Sequence, residues 1–329
     1  ALFPVRDAWW YVPRSHLSFD PGKGSQGDNH FVAPNPEFGA TFTYYLKNNF
    51  ATAKQLRKDK EKGLQSTDIP FKGWEALEAE SLEKPAMLTF SITDSNGTVI
   101  RNLVTPAKQG IHRYTWDLRY PSPDPVSNTM KQAELGSGLL APPGDYTVQL
   151  YLTENSTTRS LTEPIPFTVK PLRNGTLTSA SPSEYANFVT SFATTSKKVT
   201  NLYTNIETQH RRVKAMQLAL QQSAIKPGAL NNQLAGVLRD LEQLDSKVSG
   251  NKAKNEIGEK GLPLLGNRMF AIYRGFEKST YGPTETHKQQ LQIINNQLVT
   301  FGATVAAATK QLDSIAEQLK AAGAPEIKY

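Results

Sequence analysis

SPSEYANFVTSFATTSKKVTNLYTNIETQHRRVKAMQLAL, residues 181–220, decides the architecture of the second half of this chain. Tyr185, Phe192, Val199, Ile206, Val213 and Leu220 fall every seven residues, and Phe188, Leu202, Tyr203 and Met216 fill between them. Seven residues are nearly two helical turns, so such a row stays on one face and makes an apolar seam that must meet another helix. Ser181 can cap the start, Pro182 suits the first helical position, and Glu184 completes the pattern of a capping box. Lys226-Pro227-Gly228 ends the helix.

The same periodicity continues downstream. Leu230, Leu234, Leu238, Leu241, Leu244 and Val248 mark a second helix, and Leu262 to Phe276 holds a shorter one after a polar loop at 249–261. Gly282-Pro283-Thr284 opens a long final helix. In it Leu291, Leu298, Val305, Leu312 and Leu319 recur every seven, with Ile294, Phe301, Ala308 and Ile315 between. Residues 180–329 therefore read as an all-α part, folded back as an antiparallel helical bundle.

Upstream of residue 180 the period changes to two, which separates an all-β part from the all-α one. Strands are expected at residues 39–47, 86–94, Thr98 to Leu103, Ile111 to Leu118, Tyr146 to Leu152 and Ile165 to Val169. Asn96-Gly97 and Pro142-Pro143-Gly144-Asp145 supply turns. This spacing predicts an immunoglobulin-like β-sandwich over residues 39–171. Two stretches interrupt it: a partly helical insertion at 50–84, with the charged run Lys54 to Lys62, and a Pro/Ser/Gly-rich loop at 120–143. Residues 1–38 read as a linker or extension from a preceding domain. The boundary between the β part and the bundle falls at about 170–181.

Composition narrows the functional classes. The chain has 329 residues, 38% hydrophobic and 20% charged, and no cysteine. Disulfides, thiolate metal sites and cysteine nucleophiles are excluded together. No apolar run reaches the roughly 18 residues that span a bilayer, so no membrane insertion is expected. The net charge of +7 is concentrated in the second half: residues 1–179 carry 19 basic and 18 acidic side chains, residues 180–329 carry 18 and 12. Without a basic stripe this reads as a solvated surface, and no nucleic-acid partner is expected.

A resemblance then enters on particular residues. FVAPNPEFGATFTYYLK, Phe31 to Lys47, resembles the NPPxGAxxxYYLK segment that follows the β-propeller in secreted bacterial proteins of the sortilin-like, BNR-repeat "glycosyl hydrolase" family. Glu37 stands where that pattern usually has a second proline. Asp94 to Arg101, Gly110 to Arg119 and Pro143 to Val148 look like the Ig-like sandwich of the same proteins, and Tyr281 to Thr284 with the closing Leu-rich helix is similar to their C-terminal bundle. The resemblance implies a secreted or cell-envelope location, a β-propeller of the same protein as partner together with other envelope proteins, and a glycan as a further ligand. Any hydrolytic site would lie in the propeller, whose Ser-x-Asp-x-Gly-x-x-Trp turns are not found in this sequence. The N-terminus reads as a processed end or a cut from a longer chain.

Glycoside hydrolysis needs two carboxylates about 5–10 Å apart. Asp7, Asp20, Asp28 and Asp117 are the candidates in the β part, and Asp117 beside Arg119 reads as a structural partner. His16, His30, His112, His210 and His287 form no zinc-type pair, and the polar cluster at residues 20–30 matches no calcium-loop spacing. Neither a catalytic centre nor a cofactor or metal site is expected. The residues that stand out are the aromatics Trp9, Trp10, Tyr11, Tyr44, Tyr45 and Trp74. They would either stack on a sugar, as an exposed coplanar pair, or pack on a neighbouring domain. The function expected is that of a non-catalytic structural or interaction module, with a carbohydrate-binding accessory module as the alternative.

Overall fold

A computed structural model describes residues 1–13, 29, 31, 33, 35–65, 68–131, 135–173, 175–226 and 228–327, leaving aside the side chains of residues 252 and 255. The chain divides into two compact units: Ala1–Pro121 with Leu139–Ser183, and Ser122–Gly138 with Glu184–Tyr329. The first is built on strands and the second on helices.

In chain order the first unit contains β1 (Ala8–Trp10), β2 (Ala40–Leu46), α1 (Ala53–Glu61), α2 (Trp74–Leu82), β3 (Met87–Asp94), β4 (Val99–Pro106), β5 (Gly110–Trp116) and β6 (Arg119–Pro121). After β7 (Ser137–Leu140) come β8 (Gly144–Glu154), β9 (Thr157–Ser160) and β10 (Ile165–Pro171). The main sheet has the order β1-β10-β8-β3-β4, with β9 also on β8. It is mixed, because β1 runs parallel to β10 while β10, β8, β3 and β4 are antiparallel to their neighbours. β2 and β5 form a separate antiparallel pair, and β6 pairs with β7 in a short two-stranded ladder.

Strict alternation explains the core. Leu88, Phe90 and Ile92 of β3 and Tyr146, Val148, Leu150 and Leu152 of β8 are buried on one side of the main sheet. Phe42 and Tyr44 of β2 and Trp116 of β5 come against them: Phe42 stacks on Phe90 at 5.6 Å, and Trp116 meets Tyr146 edge-on at 5.4 Å. The β3–β4 turn is set by Asp94, whose Oδ1 accepts from the Asn96 and Thr98 N–H groups at 2.9 Å. Gly97 there takes a φ of 78°, the left-handed conformation expected of an Asn-Gly turn.

The first residues depart from expectation. Ala1–Trp10, expected within a 1–38 extension, belong to the strand unit: β1 pairs with β10, and Phe3 donates to the Thr43 carbonyl while Ala1 accepts from Tyr45. A three-residue strand carries no readable alternation, and its partner is at the far end of the unit. Residues 14–28 of the expected extension lie outside the described residues.

The helical unit contains α3 (Pro182–Gln221), α4 (Ala229–Ser249), the short α5 (Lys252–Glu256), α6 (Leu265–Lys278) and α7 (Glu285–Ala321). At 1.5 Å per residue α3 is about 60 Å long. The entire seven-residue row of α3 is buried, from Tyr185 to Leu220. Val213, Met216 and Leu220 pack with Leu234, Val237 and Leu241 of α4 and with Ala308, Leu312, Ile315 and Leu319 of α7 in one cluster. At the other end Phe276 of α6 stacks on Phe188 at 5.2 Å, with the planes 4° apart.

The first and last long helices run in the same direction. Glu184 reaches Lys288 at 2.8 Å, Thr195 reaches Asn295 at 3.1 Å, and Arg212 reaches Asp313 at 2.6 Å. α4 and α6 together make a single return pass, which leaves α7 parallel to α3 rather than antiparallel to it. Leu298, expected to be buried in the α7 seam, is only half-buried, whereas Val199, Ile206 and Val305 are buried as expected. The α4–α7 contact covers the C-terminal part of α7 most fully, and Leu298 precedes it.

Candidate functional site

The aromatics singled out in the sequence do not form one surface. Trp10 is buried and donates its indole N–H to the Ala141 carbonyl at 2.8 Å. Tyr44 is buried against Phe90 at 5.3 Å. These two belong to the core of the strand unit and cannot meet a ligand, which corrects their reading as interface residues. The physical reason is register: on β1 and β2 the residues flanking each exposed aromatic point inward. Tyr11 is half-buried edge-on to Phe38 at 4.9 Å. Trp9 and Tyr45 are exposed.

Trp74 is different in kind. It is 78% exposed, and Phe71 beside it is 66% exposed. Their rings meet edge-on, 5.2 Å apart with planes at 71°. Ile69 and Leu82 of the same insertion are also exposed. A side chain as large as tryptophan loses favourable free energy when left in water, so this pair is the candidate for an interaction surface.

The insertion that carries the pair is tied down. Thr52 and Gln55 close a capping box on α1: Gln55 Oε1 accepts from the Thr52 N–H at 2.9 Å, and Thr52 Oγ1 accepts from the Gln55 N–H at 3.2 Å. Glu83, just past α2, accepts from the Ala53 N–H at 2.7 Å. Arg57 of α1 donates to Glu61 at 3.0 Å on its own helix and to Glu80 of α2 at 2.9 Å. The Arg57 hydrogen bond holds the Glu80 carboxyl below the usual carboxylate range, against the opposing effect of desolvation, and pushes the guanidinium pKa up. A carboxyl lowered in this way contributes at neutral pH, and the tie weakens as pH falls through its lowered value.

A cleft of about 500 Å3 opens between α1 and the adjoining ends of β3 and β4. Phe50, Pro85 and Pro106 supply apolar lining, and Lys58, Lys62 and Lys108 supply positive charge. Its carboxylate, Asp59, is paired with Lys62 at 2.5 Å.

The remaining candidates resolve individually. Asp7, just before β1, pairs with Lys170 of β10, and that hydrogen bond lowers its pKa. Asp117 Oδ1 accepts from the Arg119 N–H at 3.1 Å, a local structural bond. His112 Nε2 is 2.9 Å from the Gln109 carbonyl, and its ring tilts against Tyr44. His210 is half-buried on α3. Asp20, Asp28, His16 and His30 lie outside the described residues. Among the described residues no three His, Asp or Glu side chains come together to hold a metal, and no helix is long and apolar enough to cross a membrane.

No protein-family model matches the chain. No curated protein and no solved structure matches it either. Phe71 was not singled out in the sequence, although Phe71 and Trp74 stand three residues apart. The cleft lysines come from distant segments, and nothing in their local sequence joins Lys108 to Lys58.

Proposed function

We propose that this chain is a non-catalytic interaction module, an immunoglobulin-like β-sandwich followed by a helical bundle, in a secreted or cell-envelope bacterial protein. The observation that carries the reading is the exposed Phe71–Trp74 pair on an insertion tied by the Arg57–Glu80 ion pair. The insertion interrupts a strand unit that has its own core, so its ordered form serves something other than that core. Two packed sheets support the sandwich, and the three-helix apolar cluster supports the bundle. The resemblance of Phe31 to Lys47 to the post-propeller segment supports a β-propeller of the same protein as the partner. Other envelope proteins are alternative partners on the same argument.

The cleft beside α1 favours a second reading, a carbohydrate-binding module. Phe50, Pro85 and Pro106 could lie under the apolar face of a sugar ring, with Asn49, Gln55 and Gln109 at its hydroxyls. The edge-on geometry of Phe71 and Trp74 weighs against a flat stacking platform there. A glycan-binding panel on the purified chain separates the readings. The interaction module is expected to retain no glycan and to turn none over. Retention that Lys58→Ala and Lys108→Ala together abolish would establish the second reading. Turnover lost on replacing a carboxylate of this chain would overturn both.

A further inference from the structure

The corner between α6 and α7 is closed by a histidine. Thr284 is the N-cap of α7 and His287 is the third residue of the helix. Thr284 Oγ1 accepts from the His287 N–H at 3.3 Å, and His287 Nδ1 accepts from the Thr284 N–H at 3.3 Å. This is a capping box in which an imidazole stands where Glu or Gln ordinarily does. With Nδ1 accepting, the neutral ring carries its proton on Nε2.

The other edge of the ring is fitted to α6. A Cβ added at Gly275 would lie 2.3 Å from the ring Cε1 and 2.4 Å from Nε2, so the imidazole occupies the space that only glycine leaves open. The ring also tilts against Phe276, 5.7 Å away. Phe276 in turn covers Phe188 and Tyr185 at the start of α3. His287 thus joins the last turn of α6 to the first turn of α7, over an aromatic cluster.

We infer that His287 is an acid-operated latch: its protonation releases the α6–α7 corner and uncovers the Phe276–Phe188–Tyr185 cluster. Protonation converts Nδ1 from acceptor to donor, facing the Thr284 N–H, and places a positive charge at the positive end of the α7 dipole. Burial already pushes the imidazole pKa down, so the fold favours the neutral ring. A histidine lowered in this way stabilises the corner above its unfolded pKa, and that contribution is lost as pH falls through the lowered value.

The surrounding charges are engaged with one another. On α7 these are Glu285 and Lys288, on α6 Arg274, Glu277 and Lys278, and on α3 Glu184. Glu184 pairs with Lys288 at 2.8 Å, and Glu277 with Arg274 at 2.7 Å and with Lys278 at 3.7 Å. None of them contributes to the shift of the imidazole, which desolvation causes.

The test is residue-resolved amide exchange on the full chain as pH is lowered from 8 to mildly acidic values, read as protection factors so that intrinsic exchange cancels. Protection at residues 285–288 and 274–278 is expected to fall roughly fivefold to tenfold, the effect of losing one cap. Leu234, Leu241 and Leu312 should stay protected. The fall should follow the NMR titration of the His287 ring, with a parallel rise in binding of an apolar dye. His287→Gln can cap in the same way without titrating, and should hold protection flat over that range. A His287 that titrates at or above the ordinary histidine value would overturn the inference, as would a corner equally pH-dependent in His287→Gln. So would a loss of protection spread over the whole helical unit.

Discussion

Gly39→Ala is expected to unfold the strand unit or to lower its stability by about 4 kcal/mol or more, the upper end of single-residue effects. Gly39 has a φ of 128°, which L side chains rarely adopt, and an added Cβ would lie 1.8 Å from the Trp116 carbonyl oxygen. Nothing there can yield cheaply. Trp116 is fully buried, pairs with Ala40 across β2 and β5, and donates its indole N–H to the Arg119 carbonyl at 3.0 Å. Leu118 just beyond is also fully buried, with a φ of 54°. Relieving the clash would part the start of β2 from the end of β5. Urea unfolding followed by near-ultraviolet circular dichroism checks this, and a midpoint close to that of the wild type would show the approach to be looser than described.

Leu312→Asp is expected to abolish the helical unit, and Leu312→Ala to lower its stability by about 2–5 kcal/mol. Leu312 is fully buried among residues of α3, α4 and α7. A carboxylate there has no charged partner within that cluster, and burying an unpaired charge is more costly than leaving a cavity. Because all three helices belong to one chain, the expected result is loss of helicity by circular dichroism, not dissociation with helicity kept. Leu298→Asp should be much milder, because that position is half-buried. Equal effects of the two substitutions, or a change seen only in light scattering, would mean that the seam closes between chains.

How much of this was legible in the sequence depended on the range of the signal. The seven-residue rows of α3 and α7 are local and repeated, and they marked both helices; β3, β8 and β10 alternate over enough residues to be read in the same way. The strands that escaped notice, β1, β6, β7 and β9, have three or four residues each, too few for a period to show. The parallel course of α3 and α7 depends on α4 and α6 making one return pass, and helical periodicity does not count passes. At the candidate surface Trp74 was legible as an aromatic, but its exposure was not, since that follows from the fold of the insertion. Trp10 and Tyr44 looked equivalent to Trp9 and Tyr45 until register separated the inward from the outward members. His287 was legible as a histidine near a helix start. That its ring fills the space over Gly275 could only come from the packing.

The Phe71–Trp74 pair is proposed as the surface where this protein meets its partner. The most direct measurement places a benzoylphenylalanine photo-crosslinker at Phe71 in the full protein within the cells that make it. A second probe at Ile111, which is 69% exposed on β5, gives the background. One discrete adduct is expected from position 71, mapped by mass spectrometry to the proposed β-propeller of the same protein or to another envelope protein. The adduct should be absent from position 111 and lost when Trp74→Ala is added. Adducts at position 71 no stronger than at position 111, or unchanged by Trp74→Ala, would contradict it.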